Sequence, residues 1–261
     1  MPTPTETIQV ERAAGVVTIT LDRPHVKNAM NEQMWRELLA CFSEIAQDPN
    51  DRVVVLTGAG GAFCSGADLS GGPLGGDRHM LYTMGWINQV PLALHRLPQP
   101  TIAKVAGIAA GAGANLALGC DLIVAGHDAR FAELFVRRGL TVDFGGTWLL
   151  PRLIGLHKAK EIALFGDTVD AAEAERIGLV NRVAPPGELD GFVAEWAGRL
   201  AAGPPIALAQ TKRMLNEAVC LPMVEALDAE GAAQQISVAT SDAKEAIKAF
   251  LQKRPPEFHG R

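Results

Sequence analysis

Apolar residues change period along this chain, and the changes mark out its elements. In IQVERAAGVVTITLDRP, alternation predicts two strands, 7–12 and 16–21, joined at a tight turn. NEQMWRELLACFSEIAQD places Met34, Leu38, Cys41 or Phe42, and Ile45 at helical spacing. RVVVLTGAG is a continuous apolar run closed by glycine, the pattern of a strand buried on both faces. A helical tract follows over 79–96. TIAKVAG reads as a strand, IAAGAGANLALGCD as a glycine turn into a helix, and LIVAG as another strand. A helix over 157–165, helical AAEAERIGL and a short strand in VNRVAP complete this part. Strand and helix alternate from about 50 to 183, which predicts an α/β fold with right-handed crossovers. Beyond it every segment is helical: 188–202, 204–218, 222–238 and 242–253. The composition shift at APPGE, 184–188, predicts a core over 1–187 and a helical region over 188–261.

Composition narrows the function classes. A net charge of -5 on 261 residues gives no electrostatic footprint for nucleic acid. No apolar run is long enough to span a membrane. The start, MPTPTETIQVERAAG, has neither a basic nor an apolar leader region, so a cytoplasmic location is expected. Cys41, Cys64, Cys120 and Cys220 are widely spaced, which argues for reduced thiols and against a zinc or disulfide framework. Cys64 lies in a glycine-rich loop, but no histidine pairs with it by visible spacing.

Two glycine turns are the first candidate chemistry: GGAFCSGADLSGG, 60–72, and GIAAGAGANLALG, 107–119. Each follows a predicted strand. Glycine lets main chain approach a ligand with its N–H groups outward, and one N–H from each turn would make an oxyanion hole. A dinucleotide loop does not fit, because Leu116 stands where the third glycine of G-x-G-x-x-G belongs. No phosphate-cradling G-x-x-x-x-G-K-[ST] occurs. The second candidate is Asp143, the lone acid of GLTVDFGGTWLLPRL, 139–153. It reads either as a cap on the helix starting near Gly145 or Gly146, or as a base in a dry pocket.

Together TLDRPHVKNAMNEQM, VVVLTGAGGAFCSGADL, IAKVAGIAAGAGANLALGCDLIVA, GLTVDFGGTWLLPRLIG, AAEAERIGLVNRV and AIKAFLQKRPPEF resemble, in family order, the enoyl-CoA hydratase/isomerase (crotonase) family. The resemblance implies a crotonase-like spiral of repeated ββα units with a C-terminal helical region that packs homotrimers, or hexamers as dimers of trimers. It implies an acyl-CoA thioester substrate, with coenzyme A arriving as part of the substrate and no permanently bound cofactor or metal. It puts the oxyanion-hole N–H groups on Ser65 and Ala112. Adenine and pantetheine contacts fall on Ala67, Asp68 and Leu69, with Arg23 meeting the CoA phosphates and Phe250 and Lys253 reaching the adenosine end. For Asp68 a plain loop-end role remains open. The stretch 70–95, with its several glycines, is expected to shape the acyl pocket and to be mobile.

Hydration in this family uses two glutamates, and here their positions hold Asn115 and Phe135. An amide is a poor proton acceptor and a phenyl ring is none, so the usual acid–base pair is missing. The family's isomerases carry an aspartate where Asp143 stands. The resemblance therefore implies an isomerase that moves a double bond, or opens an aryl epoxide, with Asp143 as base. Apolar Val142, Phe144 and Phe135 would raise its pKa. Asn115 either orients the acyl group or satisfies backbone groups. Glu133, two residues before Phe135 and on the same side if the segment is a strand, either replaces a lost glutamate or forms a surface salt bridge with Arg137 or Arg138. A hydratase and a non-catalytic acyl-CoA binder are the rival readings.

Overall fold

The computed structural model describes residues 5–70 and 79–261. Part of the stretch expected to shape the acyl pocket, 71–78, lies outside the described residues. The chain opens with an antiparallel pair, β1 (Ile8–Ala13) and β2 (Val16–Leu21). Helix α1 (Glu32–Ile45) follows, its N-terminus capped by the Asn31 side chain, which accepts from the Met34 N–H. Then come β3 (Val53–Gly58), α2 (Met80–Ile87), α3 (Gln89–Arg96), β4 (Thr101–Val105), β5 (Ile108–Ala110) and α4 (Ala112–Leu118). The middle third continues with β6 (Leu122–Gly126), β7 (Arg130–Ala132), α5 (Gly146–Ile154), α6 (Leu156–Phe165), β8 (Thr168–Asp170), α7 (Ala171–Arg176) and β9 (Arg182–Ala184). Four helices close the described chain: α8 (Leu189–Ala201), α9 (Pro205–Ala218), α10 (Met223–Val238) and α11 (Ser241–Gln252).

The strands lie in two layers. A six-stranded sheet has the order β1-β2-β3-β4-β6-β9, parallel from β2 onward. A smaller sheet has the order β5-β7-β8. After β3, β4 and β6 the chain steps from the large sheet into the small layer. It enters at Cys64, which bridges to Ala109, then at β5, then at β7. Successive passages stack in parallel, and this repetition is the expected spiral of ββα turns. The apolar faces of α1, α3 and α4 join one buried cluster with strands of the large sheet, in which Phe42, Leu56, Phe63 and Leu116 are fully buried.

Three sequence readings change. The tract 79–96 is two helices meeting at Asn88, because Pro91 has no N–H to give the Ile87 carbonyl. The break placed at 187/188 falls inside a packed layer. Val193 and Ala197 of α8 join Val53, Val55, Ile102 and Val124 in a second apolar cluster on the other face of the large sheet. The segment 133–135 is a turn leading into a 3-10 stretch at 136–138, not a strand, so Glu133 and Phe135 do not share a face. No described helix is long and apolar enough to cross a membrane.

Candidate active site

Both glycine turns and the segment before α5 meet around a cavity of about 340 Å³. Its wall includes Ser65, Ala67, Asp68 and Leu69 from the first turn, Ala112 from the second, and Phe135 and Asp143. Gly66 and Gly111, inside the two turns the sequence singled out, also line it, as do Ala29, Leu134, Arg138 and Leu140, which the sequence reading missed as wall residues. The positive φ forced at Gly66 by a crowded turn was the available signal, since SGAD holds the one glycine between Ser65 and Ala67. Here φ is +101°, and a Cβ at this position would sit 2.8 Å from the Ala110 carbonyl oxygen and 3.7 Å from the Ala112 nitrogen. The two turns therefore touch at Gly66, and only glycine permits that approach.

This contact decides which amides face the cavity. The Ser65 N–H donates to the Lys27 carbonyl at 3.0 Å, and its hydroxyl donates to the Val26 carbonyl. Ser65 is thus engaged with the loop behind it and is not the free donor expected. Two residues on, Met30 bridges to the chain around Ala67: Met30 N–H donates to the Gly66 carbonyl and Asp68 N–H to the Met30 carbonyl. Along an extended segment successive amides point to opposite sides, so the Ala67 N–H points away from Met30, toward the second turn. It has no hydrogen-bond partner among the described residues. Ala112 is the first residue of α4, where an N–H has no intrahelical acceptor, and it too has no described partner. The free pair is Ala67 and Ala112.

Asp143 is positioned by a tight bend. Phe144 takes a left-handed conformation, φ +53°, held by its fully buried ring, and Gly145 follows at φ +90°. Helix α5 starts without a side-chain cap, and Gly146 N–H bonds to the carbonyl of Asp143, not to its carboxylate. The capping reading therefore fails. Asp143 Oδ1 is buried with no hydrogen-bond partner among the described residues, and burial pushes the carboxyl up to about 6. The second carboxylate on the cavity wall, Asp68, is in the opposite state. The Ser70 hydroxyl and N–H, with Arg23 at 2.8 Å, hold it down to about 2. Arg23 engages Asp68 and the Ala29 carbonyl, both through Nη1.

Asn115 does not line the cavity. It is fully buried, and its Nδ2 donates to the Asp143 carbonyl at 2.9 Å and to Glu133 Oε2 at 3.4 Å. Of its two open roles it takes the backbone-satisfying one. Glu133 is 1% exposed, so the expected surface salt bridge is wrong: Arg137 pairs with Asp167 instead. Phe135 lies against the second turn, its ring 3.7 Å from where a Cβ on Gly111 would stand. Phe250 is strongly exposed on α11, and neither it nor Lys253 reaches this cavity in the same chain. Cys64 is fully buried, and burial pushes its thiol up to about 12, which removes it as a nucleophile.

A cavity with two free main-chain N–H groups and a lone, partner-free carboxylate defines a class: enzymes that stabilise an oxyanion and move a proton beside it. The comparisons with known proteins narrow the class. The family model for enoyl-CoA hydratase/isomerase matches residues 11–261, and the chain belongs to that family. A Rhodobacter capsulatus protein named "Probable enoyl-CoA hydratase" is 41% identical, the match covering 98% of each chain. The Escherichia coli "1,2-epoxyphenylacetyl-CoA isomerase" is 37% identical, with coverage of 95% of this chain and 96% of that one. Among solved structures, a Streptomyces coelicolor protein assigned as an enoyl-CoA hydratase superposes with a TM-score of 0.95 at 40% identity. That match covers 100% of this chain and 97% of the other. The fold is the crotonase spiral that the sequence motifs implied.

Proposed function

We propose that the protein is an acyl-CoA isomerase that moves a double bond through a thioester enolate, with Asp143 as its base. The observation that carries this reading is the contrast between two carboxylates on one cavity wall. Asp68 is locked in its charged form by Ser70 and Arg23, whereas Asp143 is desolvated and has an unpartnered oxygen. In this reading the thioester oxygen sits on the Ala67 and Ala112 N–H groups. Charge moving onto that oxygen acidifies the neighbouring C–H, and each such donor contributes roughly 10²–10³ in kcat. Asp143 takes the proton and returns it at a second carbon. One base suffices for such a transfer.

Similarity to the Escherichia coli 1,2-epoxyphenylacetyl-CoA isomerase supports the same reading and extends it to opening of a ring-1,2-epoxide, with phenylacetate breakdown as the setting. Arg138, on the cavity wall and without an ion pair among the described residues, joins Arg23 as a cation available to the CoA phosphates. Exposed Leu215, Met223, Val224, Ile247 and Phe250 on α9–α11 leave apolar surface that suits packing into a homotrimer or hexamer, where Phe250 and Lys253 would meet a neighbour's ligand. A cytoplasmic location fits the chemistry of CoA thioesters.

Hydration of a 2-enoyl-CoA is the second reading, favoured by the hydratase name of the Rhodobacter capsulatus relative and by a second carboxyl, Glu133, near Asp143. Against it, Glu133 is not on the cavity wall. A panel of 2-enoyl, 3-enoyl and aryl-epoxide CoA thioesters, scored for isomerisation against hydration, tests both. Faster water addition than double-bond movement would overturn the isomerase reading. Tight thioester binding with no turnover of any member would leave a binding protein.

A further inference from the structure

Glu133 follows β7 directly and is all but sealed from solvent. A buried carboxylate ordinarily needs a cation. None is supplied: Arg137, on the next turn, pairs with Asp167 and donates to the Phe165 carbonyl, and Glu133 has no ion pair among the described residues. Its neighbour is the Asn115 side chain. The two hydrogens of Asn115 Nδ2 go to the Asp143 carbonyl and to Glu133 Oε2. The other oxygen of each group, Asn115 Oδ1 and Glu133 Oε1, is buried and has no donor. An ionised carboxylate only accepts, and so does an amide oxygen. Both oxygens belong to side chains that already meet through Asn115 Nδ2 and Glu133 Oε2, and a hydrogen on Glu133 is the donor the pair lacks.

We infer that Glu133 is a positioning residue that carries a proton, closes a two-hydrogen-bond ring with the Asn115 side-chain amide, and thereby fixes the main chain of Asp143. The proton on Glu133 satisfies both orphan oxygens at once. It leaves Asp143 Oδ1 as the remaining unpartnered atom of the cluster, the one the reaction needs. Gly146 clamps the ring from the other side, since a Cβ there would lie 2.5 Å from Asn115 Nδ2. Burial pushes Glu133 up to about 8, the Asp143 charge pushes the same way, and the Asn115 N–H opposes them. From α4 it meets the neutral Asn115, from the segment before α5 the acid Asp143, and on its own turn Arg137 is turned to Asp167. A charged Glu133 would repel the ionised base, so neutrality also protects the function proposed for Asp143, on which the catalytic half of this inference rests.

Glu133→Ala and Glu133→Gln separate the roles. A glutamine supplies both edges of the ring, so it should restore most of the kcat that alanine loses, with KM little changed in either. Infrared spectra of the wild type at neutral pH should contain a protonated-carboxyl band that is absent from Glu133→Gln. Thermal scans add a third readout. Between pH 5 and 8 the unfolded Glu133 gives up its proton while the folded one keeps it, so the wild type loses stability as pH rises and Glu133→Gln loses less. Absence of the infrared band, or a Glu133→Gln enzyme as impaired as Asp143→Asn, would overturn the inference. If instead the base assignment is wrong, Asp143→Asn retains turnover while the band and the melting difference persist.

Discussion

The side chain of Asn115 holds the main-chain carbonyl of Asp143 at 2.9 Å, across a separation of 28 residues. The bond ties α4, whose first amide faces the cavity, to the segment that carries the carboxylate. In the proposed mechanism, donor and base are thereby set relative to one another by one amide. Replacing Asn115 with alanine should lower kcat by roughly tenfold to a hundredfold with a small change in KM, since small misplacements of a base are costly. Steady-state kinetics on a 3-enoyl-CoA check this.

Removing the base is the sharper test. Asp143→Asn keeps the shape of the side chain and loses its basicity, and kcat for double-bond movement should fall by about 10²–10⁴. Isothermal titration with a non-reacting thioester should give binding close to wild type, because the amides are untouched.

The acid limb of the pH profile carries the signature of burial. As the proposed base, Asp143 would have to be ionised to accept a proton, and burial pushes it up to about 6. Activity should therefore be full above that point and fall roughly tenfold per unit below it. A limb near the ordinary aspartate value, about 4, would remove Asp143 from the free-enzyme profile.

Gly66 is a point of contact between turns. An alanine there meets the Ala110 carbonyl and is strained by φ +101°. Gly66→Ala should cost about 1–3 kcal/mol of stability and reduce kcat, as the Ala67 and Ala112 amides are pushed apart. Denaturant melts paired with kinetics measure both effects.

The Arg23–Asp68 pair braces the same loop from outside. Asp68 is held down to about 2 by Ser70 first and Arg23 after it, so these contacts add stability that is complete above the unfolded aspartate value and lost as pH falls toward 2. Arg23→Ala should destabilise by about 1–3 kcal/mol at neutral pH, and by less as pH falls toward 2 and Asp68 takes up a proton in the folded state as well. Melting curves at pH 7 and pH 3 test the sign.

Much of this molecule could be read from one sequence. The helices α8–α11 fall within about a residue or two of their expected ends, because long apolar periods and proline or glycine punctuation carry that information. The short strands β5, β7 and β8 have three residues each, too few to show a period. The meeting of the glycine turns was legible, but the choice between the Ser65 and Ala67 amides was not. It depends on the bridge from Met30, a pairing across 37 residues that leaves no local pattern. Glu133 misled for a related reason. Two adjacent arginines imply a surface, and nothing in the sequence says that Arg137 turns to Asp167.

The proposed oxyanion grip is made of peptide bonds, so among substitutions at Ala67 or Ala112 proline alone removes a donor outright. What mutation can reach are the groups around them, at positions 115, 135 and 143. Under the proposed mechanism, exchange of those side chains would change where the proton goes, while the main-chain donors keep their places as long as the Gly66 contact is intact.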